Sequence, residues 1–487
     1  MTTRQTVGYT AGTVIRLDGR RFPVHGICDI IRALPYGDCS ATVWCLDQHD
    51  LMDILTMMLA RYSWNPHGDE LRLWECTGII QADRTILSLS MKLDGRHRVR
   101  FLDLGRYGDH GGDVLECLGV LHDLQVTSPT PGSAAVAQSI PPKALKRFAV
   151  DYPELDSAVE PMVSQACRGG LVWLSSPGVY HDVIDLDVNS MYPSILSSSR
   201  LPCGTPIAVD GPERLAEGQW GVFEVDVMGS ARDDMPQWLS RRSRGRRSRE
   251  LTTPCEGGFE TFVLTSDDLE ALRLTYDAEV VVHGGLAFDT CTPFFASSTA
   301  RLGYLKDTAD QASRGVYKTL LNAFVGKFAQ ARHRSGGLVV IPRLNERGRV
   351  VFEDSVDDGH HAGVASDVRY APLAAAIWGK ARLKLLKDIL TVRQAGGEVM
   401  YCNTDGFMVR GLDLKRLGQL LHMGRTQGEY KVEAEFARVN LLASNLYLGE
   451  SSDGTRQWCH SGYMEDTVPT WEEFASGRYG HVYSNLS

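Results

Sequence analysis

Apolar positions recur along the chain with two periods. Alternating or continuous apolar runs predict strands over Thr13–Leu17, Thr85–Leu93 and Val99–Leu104, and three- and four-residue spacing predicts helices over Leu51–Tyr62 and Val114–Leu124. The first 126 residues therefore read as an α/β block. Further on, two long helices are predicted over Thr299–Gln330 and Leu373–Val392, with short strands at Val183–Val188, Val399–Tyr401 and Phe407–Val409. The β-rich runs Leu338–Ile341 and Val350–Phe352 flank the turn-forming Asn345–Gly348, the pattern of a β-hairpin. Proline, serine and small residues fill Thr127–Lys143, which reads as a linker or exposed loop. Arg241–Arg249 carries six arginines in nine residues.

Composition narrows the class. A chain of 487 residues suggests about three domains, and 43% hydrophobic with 23% charged content is that of a folding chain. With 51 Lys and Arg against 60 Asp and Glu, the net charge of −9 excludes a uniformly basic nucleic-acid coat. Any nucleic-acid site must be a local basic surface on an acidic body. Neither a secretory leader nor a membrane-spanning run is visible, so the expected setting is the cytoplasm of a bacterial or phage-infected cell, with no membrane partner. The eleven cysteines form no C-x-x-C pair and are expected to be reduced, mostly buried thiols.

Three segments carry candidate chemistry. In the first, Asp185 and Asp187 share one face of a strand, because side chains alternate with period two, and Pro193 is expected to end that strand. In the second, Arg314, Lys318 and Asn322 follow one another at one-turn spacing on a helix, with Lys306 roughly in line. Such a row is either a solvated face or a cradle for a triphosphate. The third, Tyr401-Cys402-Asn403-Thr404-Asp405-Gly406-Phe407, reads as a hairpin that presents a carboxylate at its tip. Phosphoryl transfer from a nucleoside triphosphate needs two divalent cations about 4 Å apart, bridged by carboxylates from separate segments, and fixed cations for the leaving group. The three segments together supply those parts.

In this order the segments resemble the three polymerase motifs of the family B DNA polymerases: DVNSMYPSI, KTLLNAFVG and YCNTDG. Arg168-Gly169-Gly170 with Trp173 resembles the exonuclease–polymerase connector of the protein-primed branch, and Leu201-Pro202-Cys203-Gly204-Thr205-Pro206 follows the first motif as it does there. The resemblance implies an α/β multidomain (α+β) chain, a right-hand polymerase of palm, fingers and thumb with an N-terminal degenerate RNase H-like exonuclease domain. Implied boundaries are 1–126 exonuclease-like, 127–165 linker, 166–200 palm, 201–298 an insertion holding a priming protein, 299–331 fingers, 332–369 a strand-displacement hairpin, 370–395 a fingers/palm helix, 396–440 palm and 441–487 a small thumb.

Matched position by position, the resemblance implies that Asp187 and Asp405, with the Val188 carbonyl, bind two Mg²⁺ ions, Mn²⁺ being the alternative. Tyr192 would stack under the incoming sugar, Lys306, Arg314 and Lys318 would hold the triphosphate, and Asn322 would line the base-pair pocket. Asp185, Asn403 and Thr404 are accessory candidates. Contacts to DNA or a partner are expected from Arg168, Gly169, Gly170, Arg241, Arg242, Arg244, Arg246, Arg247, Arg249 and Tyr447. Implied partners are template-primer DNA, deoxynucleoside triphosphates and a terminal, priming protein.

Departures from the family pattern are Asn403 and Gly406 in the third motif, Ala323 and Val325 in the second, Cys167 before the connector and Asn445 in place of a late lysine. Asn403 removes a negative charge, and Asp185 is either a solvated or salt-bridged strand residue or an extra acid that restores that charge in part; Val325 cannot stack on a base as tyrosine does. No D-x-E occurs before residue 160, and Asp50 alone resembles a second exonuclease motif. The expectation is a polymerase without 3′–5′ proofreading. A specialised or template-independent nucleotidyltransferase and a non-catalytic DNA- or partner-binding homologue stay open as alternatives.

Overall fold

The computed structural model describes the chain except for residues 1–4, 35–39, 67–70, 74, 82, 93–97, 108–113, 127, 141–143, 233–234, 243–248, 252–257, 330–337, 357–367, 461–467 and 478–487. It divides into two compact units, one of residues 1–149 and 297–369, the other of 150–296 and 370–487.

The first unit is built on an eight-stranded sheet. Gln5–Thr10, Ala41–Cys45 and Arg98–Asp103 run parallel at its centre, with antiparallel strands on both sides. Ala41–Cys45 is buried at every position, as a strand covered on both faces must be. Helix Gln48–Leu59 lays Leu51, Ile54, Leu55 and Met58 into the same core as Val43, Leu89 and Phe101. The expected hairpin forms as Leu338–Leu344 against Val350–Val356, and Val350 and Phe352 pack on that core.

Two expectations for this unit fail. The segment 127–143 contains a helix, Pro131–Ser139, capped by Thr130, with Gly132, Ala134, Ala135 and Val136 buried. Its small residues allow close approach to helix Gln311–Ala329: a Cβ on Gly132 would lie 3.1 Å from the Ala323 carbonyl oxygen. Residues too small to build a core alone thus serve as a packing face. Likewise, the single long helix expected over 299–330 is two, Ala296–Thr308 and Gln311–Ala329. Asp310 breaks it by accepting from the Ser313 N–H and hydroxyl, at 2.9 and 3.0 Å, as a helix-capping side chain does.

The second unit holds a seven-stranded antiparallel sheet in the order Arg456–His460, Leu446–Glu450, Tyr430–Ala443, Gly178–Val188, Gly406–Arg410, Glu398–Thr404, Leu171–Leu174. Leu446–Glu450 and Arg456–His460, in the segment expected as a small thumb, extend this sheet. Helix Ala371–Gln394, four residues wider than its apolar pattern indicated, packs on helices Val159–Ala166, Met191–Ser198 and Ser266–Thr275. A four-stranded sheet of Leu201–Val209, Tyr276–Cys291, Gln219–Ala231 and Glu260–Thr265 completes the unit. Pro193 does not follow a strand as a terminator; it sits in the first turn of helix Met191–Ser198, where its missing N–H has no helical partner to lose.

Candidate active site

Strand Gly178–Val188 lies at the centre of the seven-stranded sheet, between Gly406–Arg410 and Tyr430–Ala443. Register sets Asp187 opposite Gly406 on one side and Lys431 on the other. The hairpin turn Thr404-Asp405 therefore closes beside Asp187, and the Val188 N–H donates to the Asp405 carbonyl at 2.8 Å. This brings together two carboxylates from segments far apart in sequence.

Backbone strain flanks both. Thr404 has φ 55° and Ser190 has φ 47°, left-handed values that cost a non-glycine residue energy, most of all a β-branched one. The Thr404 hydroxyl donates to Asp405 Oδ1 at 2.8 Å, aligning the carboxylate at the tip. Glycine is required twice for close approach. A Cβ on Gly406 would meet the Leu186 carbonyl oxygen at 2.4 Å, so the serine of the family pattern does not fit this strand spacing. A Cβ on Gly170 would lie 2.5 Å from the Tyr192 hydroxyl and 2.9 Å from Thr404 Cγ2, which joins the connector to both carboxylate motifs.

The site is acid-crowded. Burial, and then the charge of Asp405, push the Asp187 carboxyl up to about 6, while Lys431 pulls against them. Lys431 Nζ stands 3.1 Å from Asp187 Oδ2 and also pairs with Glu433. Burial lowers the Lys431 pKa, but its hydrogen bonds to Glu433 and Asp187 leave it raised overall. Burial, Glu433 and Asp187 push Asp185 up to about 7. Among the described residues Asp185 is thus no salt-bridged strand acid, and of the two readings of it the extra acid holds only in part, since its charge is costly near neutrality. The Tyr192 hydroxyl is pushed up by burial and by Asp405.

Asn403 does not offer a free amide to this centre: its Nδ2 donates to Asn445 Oδ1 at 2.7 Å. Two departures from the family pattern thus touch each other. Tyr401 joins them, donating to Asn445 Oδ1 at 3.4 Å and accepting from the Asn445 N–H at 3.3 Å. Tyr447 is buried and edge-on to Tyr401 at 5.8 Å, and so is a packing residue of the sheet rather than an exposed DNA contact.

The connector is similarly committed. Arg168 donates to the Val263 carbonyl at 3.3 Å and lies 5.3 Å from the Phe262 ring centre, which ties the expected DNA contact into the unit's own strand Glu260–Thr265. The Gly169 carbonyl accepts from Arg382, whose guanidinium grips Asp268 through both oxygens at 2.8–3.0 Å. Lys431, Glu433, Arg382 and Asp268 had no motif to mark them; register and burial alone reveal them.

The basic row belongs to the first unit. Arg314, Lys318 and Asn322 are exposed on one face of Gln311–Ala329, opposite buried Val316, Leu320, Phe324 and Phe328. Lys306 is not in that row: it lies on the preceding helix, 6% exposed, paired with Asp307 at 2.9 Å. Val325 is buried at 3% exposure, so it has no face to offer a base. Arg241 and Arg242 pair in backbone register with Glu250 and Arg249, while Arg244, Arg246 and Arg247 lie outside the described residues.

Asp50, the residue that resembles a second exonuclease motif, is held locally. Its Oδ1 accepts from the Ala11 N–H at 2.9 Å and its Oδ2 from the Leu46 N–H at 3.0 Å. Both oxygens hold loops of the sheet. Among the described residues, no three His, Cys, Asp or Glu side chains are grouped to hold a metal ion.

Residues 137–347 match the family described as DNA polymerase type B, organellar and viral. The DNA polymerase of Bacillus phage phi29 is 25% identical over 309 residues, covering 62% of this chain and 52% of that protein. That of Streptococcus phage Cp-1 is 25% identical over 332 residues, covering 64% and 55%. The chain thus spans about half the length of the curated relatives it matches. Its fold superposes on phi29 DNA polymerase complexed with primer-template DNA and incoming nucleotide substrates with a TM-score of 0.77 at 18% identity, covering 97% of this chain and 95% of the other. The fold is therefore that of a right-hand polymerase carrying an N-terminal exonuclease-like domain.

Proposed function

We propose that this chain, a divergent relative of the organellar and viral type B DNA polymerases, adds deoxynucleotides to a 3′-hydroxyl along a DNA template. The observation that carries this reading is the meeting of Asp187 and Asp405 at a strained hairpin tip, where the charge of Asp405 raises the cost of charging Asp187. Crowded carboxylates of this kind fit divalent cations, because hard cations take oxygen ligands and relieve like-charge repulsion. Asp187, Asp405 and the Val188 carbonyl would hold two Mg²⁺ or Mn²⁺ ions. Such ions supply Lewis-acid activation of the attacking hydroxyl and neutralise the leaving pyrophosphate.

The protein's own part is positioning. Tyr192, whose hydroxyl lies against Gly170, would stack under the incoming sugar and exclude a 2′-hydroxyl. Arg314 and Lys318 are exposed cations suited to a triphosphate, and Asn322 one turn on suits the nascent base pair. Lys306, committed to Asp307, has no part in this reading. Initiation on the hydroxyl of a priming protein is supported by the connector and by the insertion between Asp187 and Lys318. Absence of proofreading is supported by Asp50, whose two oxygens are both engaged by backbone N–H groups.

Primer extension with Mg²⁺ or Mn²⁺, with and without template, tests the reading against an Asp405→Ala control. Templated extension lost in the control is expected. Equal extension without template would make the protein a specialised nucleotidyltransferase, and no incorporation with either metal a non-catalytic homologue.

A further inference from the structure

Lys431 is a cation already in place at the carboxylate centre. It stands directly across the sheet from Asp187, and its ammonium reaches both Asp187 Oδ2, at 3.1 Å, and Glu433. Its chain position lies on strand Tyr430–Ala443, paired with Asp187 just before the register shift that leaves Glu433 out of the pairing, so the ammonium is held there by the sheet rather than by a loop. Its side chain is 38% exposed and that of Asp187 is 29% exposed, so an arriving cation has access to the same oxygens. Asp187, Asp405, Glu433 and Lys431 together carry a formal charge of −2, and Asn403 adds none.

We propose that Lys431 is a built-in counter-cation of the metal centre, which a divalent ion must displace from Asp187 in order to bind. Glu433 supplies the alternative seat: the ammonium gives up Asp187 and stays paired with Glu433. The consequence is a centre that binds free divalent cations weakly, and that gains most from a metal arriving with the added negative charge of a triphosphate. This rests on the reading of Asp187 and Asp405 as metal ligands, and deepens it.

The test is Mn²⁺ binding to the full chain without DNA or nucleotide, followed by loss of the free-ion electron paramagnetic resonance signal. Lys431→Met keeps the length of the side chain and removes its charge. Placing one less positive charge within a few ångströms of a divalent ion should tighten binding roughly tenfold. Lys431→Arg, which keeps the charge, should bind Mn²⁺ as the parent does, and circular dichroism checks that both variants fold. Unchanged or weaker binding in Lys431→Met overturns the inference, as does equal tightening in Lys431→Arg. Adding Asp405→Ala to Lys431→Met separates the two levels. If that double variant still binds Mn²⁺ as Lys431→Met does, the metal-centre reading fails. If Asp405→Ala abolishes binding while Lys431→Met changes nothing, only the counter-cation role fails.

Discussion

Asp50 in the first unit and Asp187 in the second are both partly withdrawn from water, yet they are used in opposite ways. Each oxygen of Asp50 accepts a backbone N–H, from Ala11 and from Leu46, so the carboxylate is a structural clasp between the first strand's turn and a helix start. Among the described residues, no backbone N–H donates to the Asp187 carboxylate. It faces Asp405 and leans on Lys431. Burial raises both carboxyls and neighbouring acids raise both further, Asp47 and Asp53 at Asp50 and Asp405 at Asp187; what differs is that the Ala11 and Leu46 N–H groups offset this at Asp50, whereas Asp187 keeps oxygen lone pairs for a cation.

Exchanging the two acids in turn should break or secure this contrast. Asp187→Asn should lower primer extension roughly a thousandfold or more, the kinetic equivalent of losing several kcal/mol of metal stabilisation. Asp50→Asn should leave extension within about twofold and cost about 1–3 kcal/mol of stability in a denaturant titration, because one backbone N–H loses its acceptor. Metal-dependent shortening of a labelled single strand that disappears in Asp50→Asn would erase the contrast.

The next largest effect concerns what holds the palm centre rigid. Arg382 is 3% and Asp268 0% exposed, and the guanidinium also holds the Gly169 carbonyl beside the connector. Arg382→Met strands a buried carboxylate and should destabilise the chain by about 3–5 kcal/mol, read as a lower denaturant midpoint. The double change Arg382→Met with Asp268→Leu should recover much of that loss, since both charges are then gone. No recovery would show that the hydrogen bond to Gly169 is the larger part.

Asp185 sharpens the comparison through pH. Its folded-state value of about 7 lies above the ordinary 3.8, so its protonation favours the folded state at low pH and that contribution is lost as pH rises through about 7. Asp185→Asn should therefore raise thermal stability at pH 8 by the equivalent of about 1–2 kcal/mol, with the gain vanishing below about pH 4. Its loss of activity should be much smaller than that of Asp187→Asn. A gain that persists unchanged at pH 4 would point to packing rather than charge.

The smallest effect belongs to the two amides. If Asn403 and Asn445 act as a pair, Asn403→Asp and Asn445→Lys should couple by about 0.5–1 kcal/mol in a double-mutant cycle of stability. Coupling near zero would make their contact incidental.

Much of this was legible along the chain. Local rules carried the strand holding Asp185 and Asp187, the hairpin presenting Asp405, the insertion hairpin from Leu338 to Val356 and the exposed face of Arg314, Lys318 and Asn322, because alternation, turn chemistry and helical spacing are properties of neighbours in sequence. The same rules misread 127–143 as a linker. Small residues have no core of their own, and their worth appears only when another helix comes within reach of Gly132. They also joined two helices across Asp310, whose capping bonds outweigh the apolar spacing around it. Lys306, expected to hold the triphosphate, and Val325, standing where the family pattern has a stacking tyrosine, are both buried by packing.

By itself, then, the sequence determined which segments carry carboxylates, cations and turns, and through the order of its motifs which polymerase family the chain resembles. Tertiary structure alone decided which charges meet. That Lys431 leans on Asp187, that Asn403 spends its amide on Asn445, and that Arg382 clamps Asp268 are matters of strand register and helix packing between residues distant in the chain. Electrostatic energies fall with separation in space, not in sequence, so no reading of neighbours could supply them.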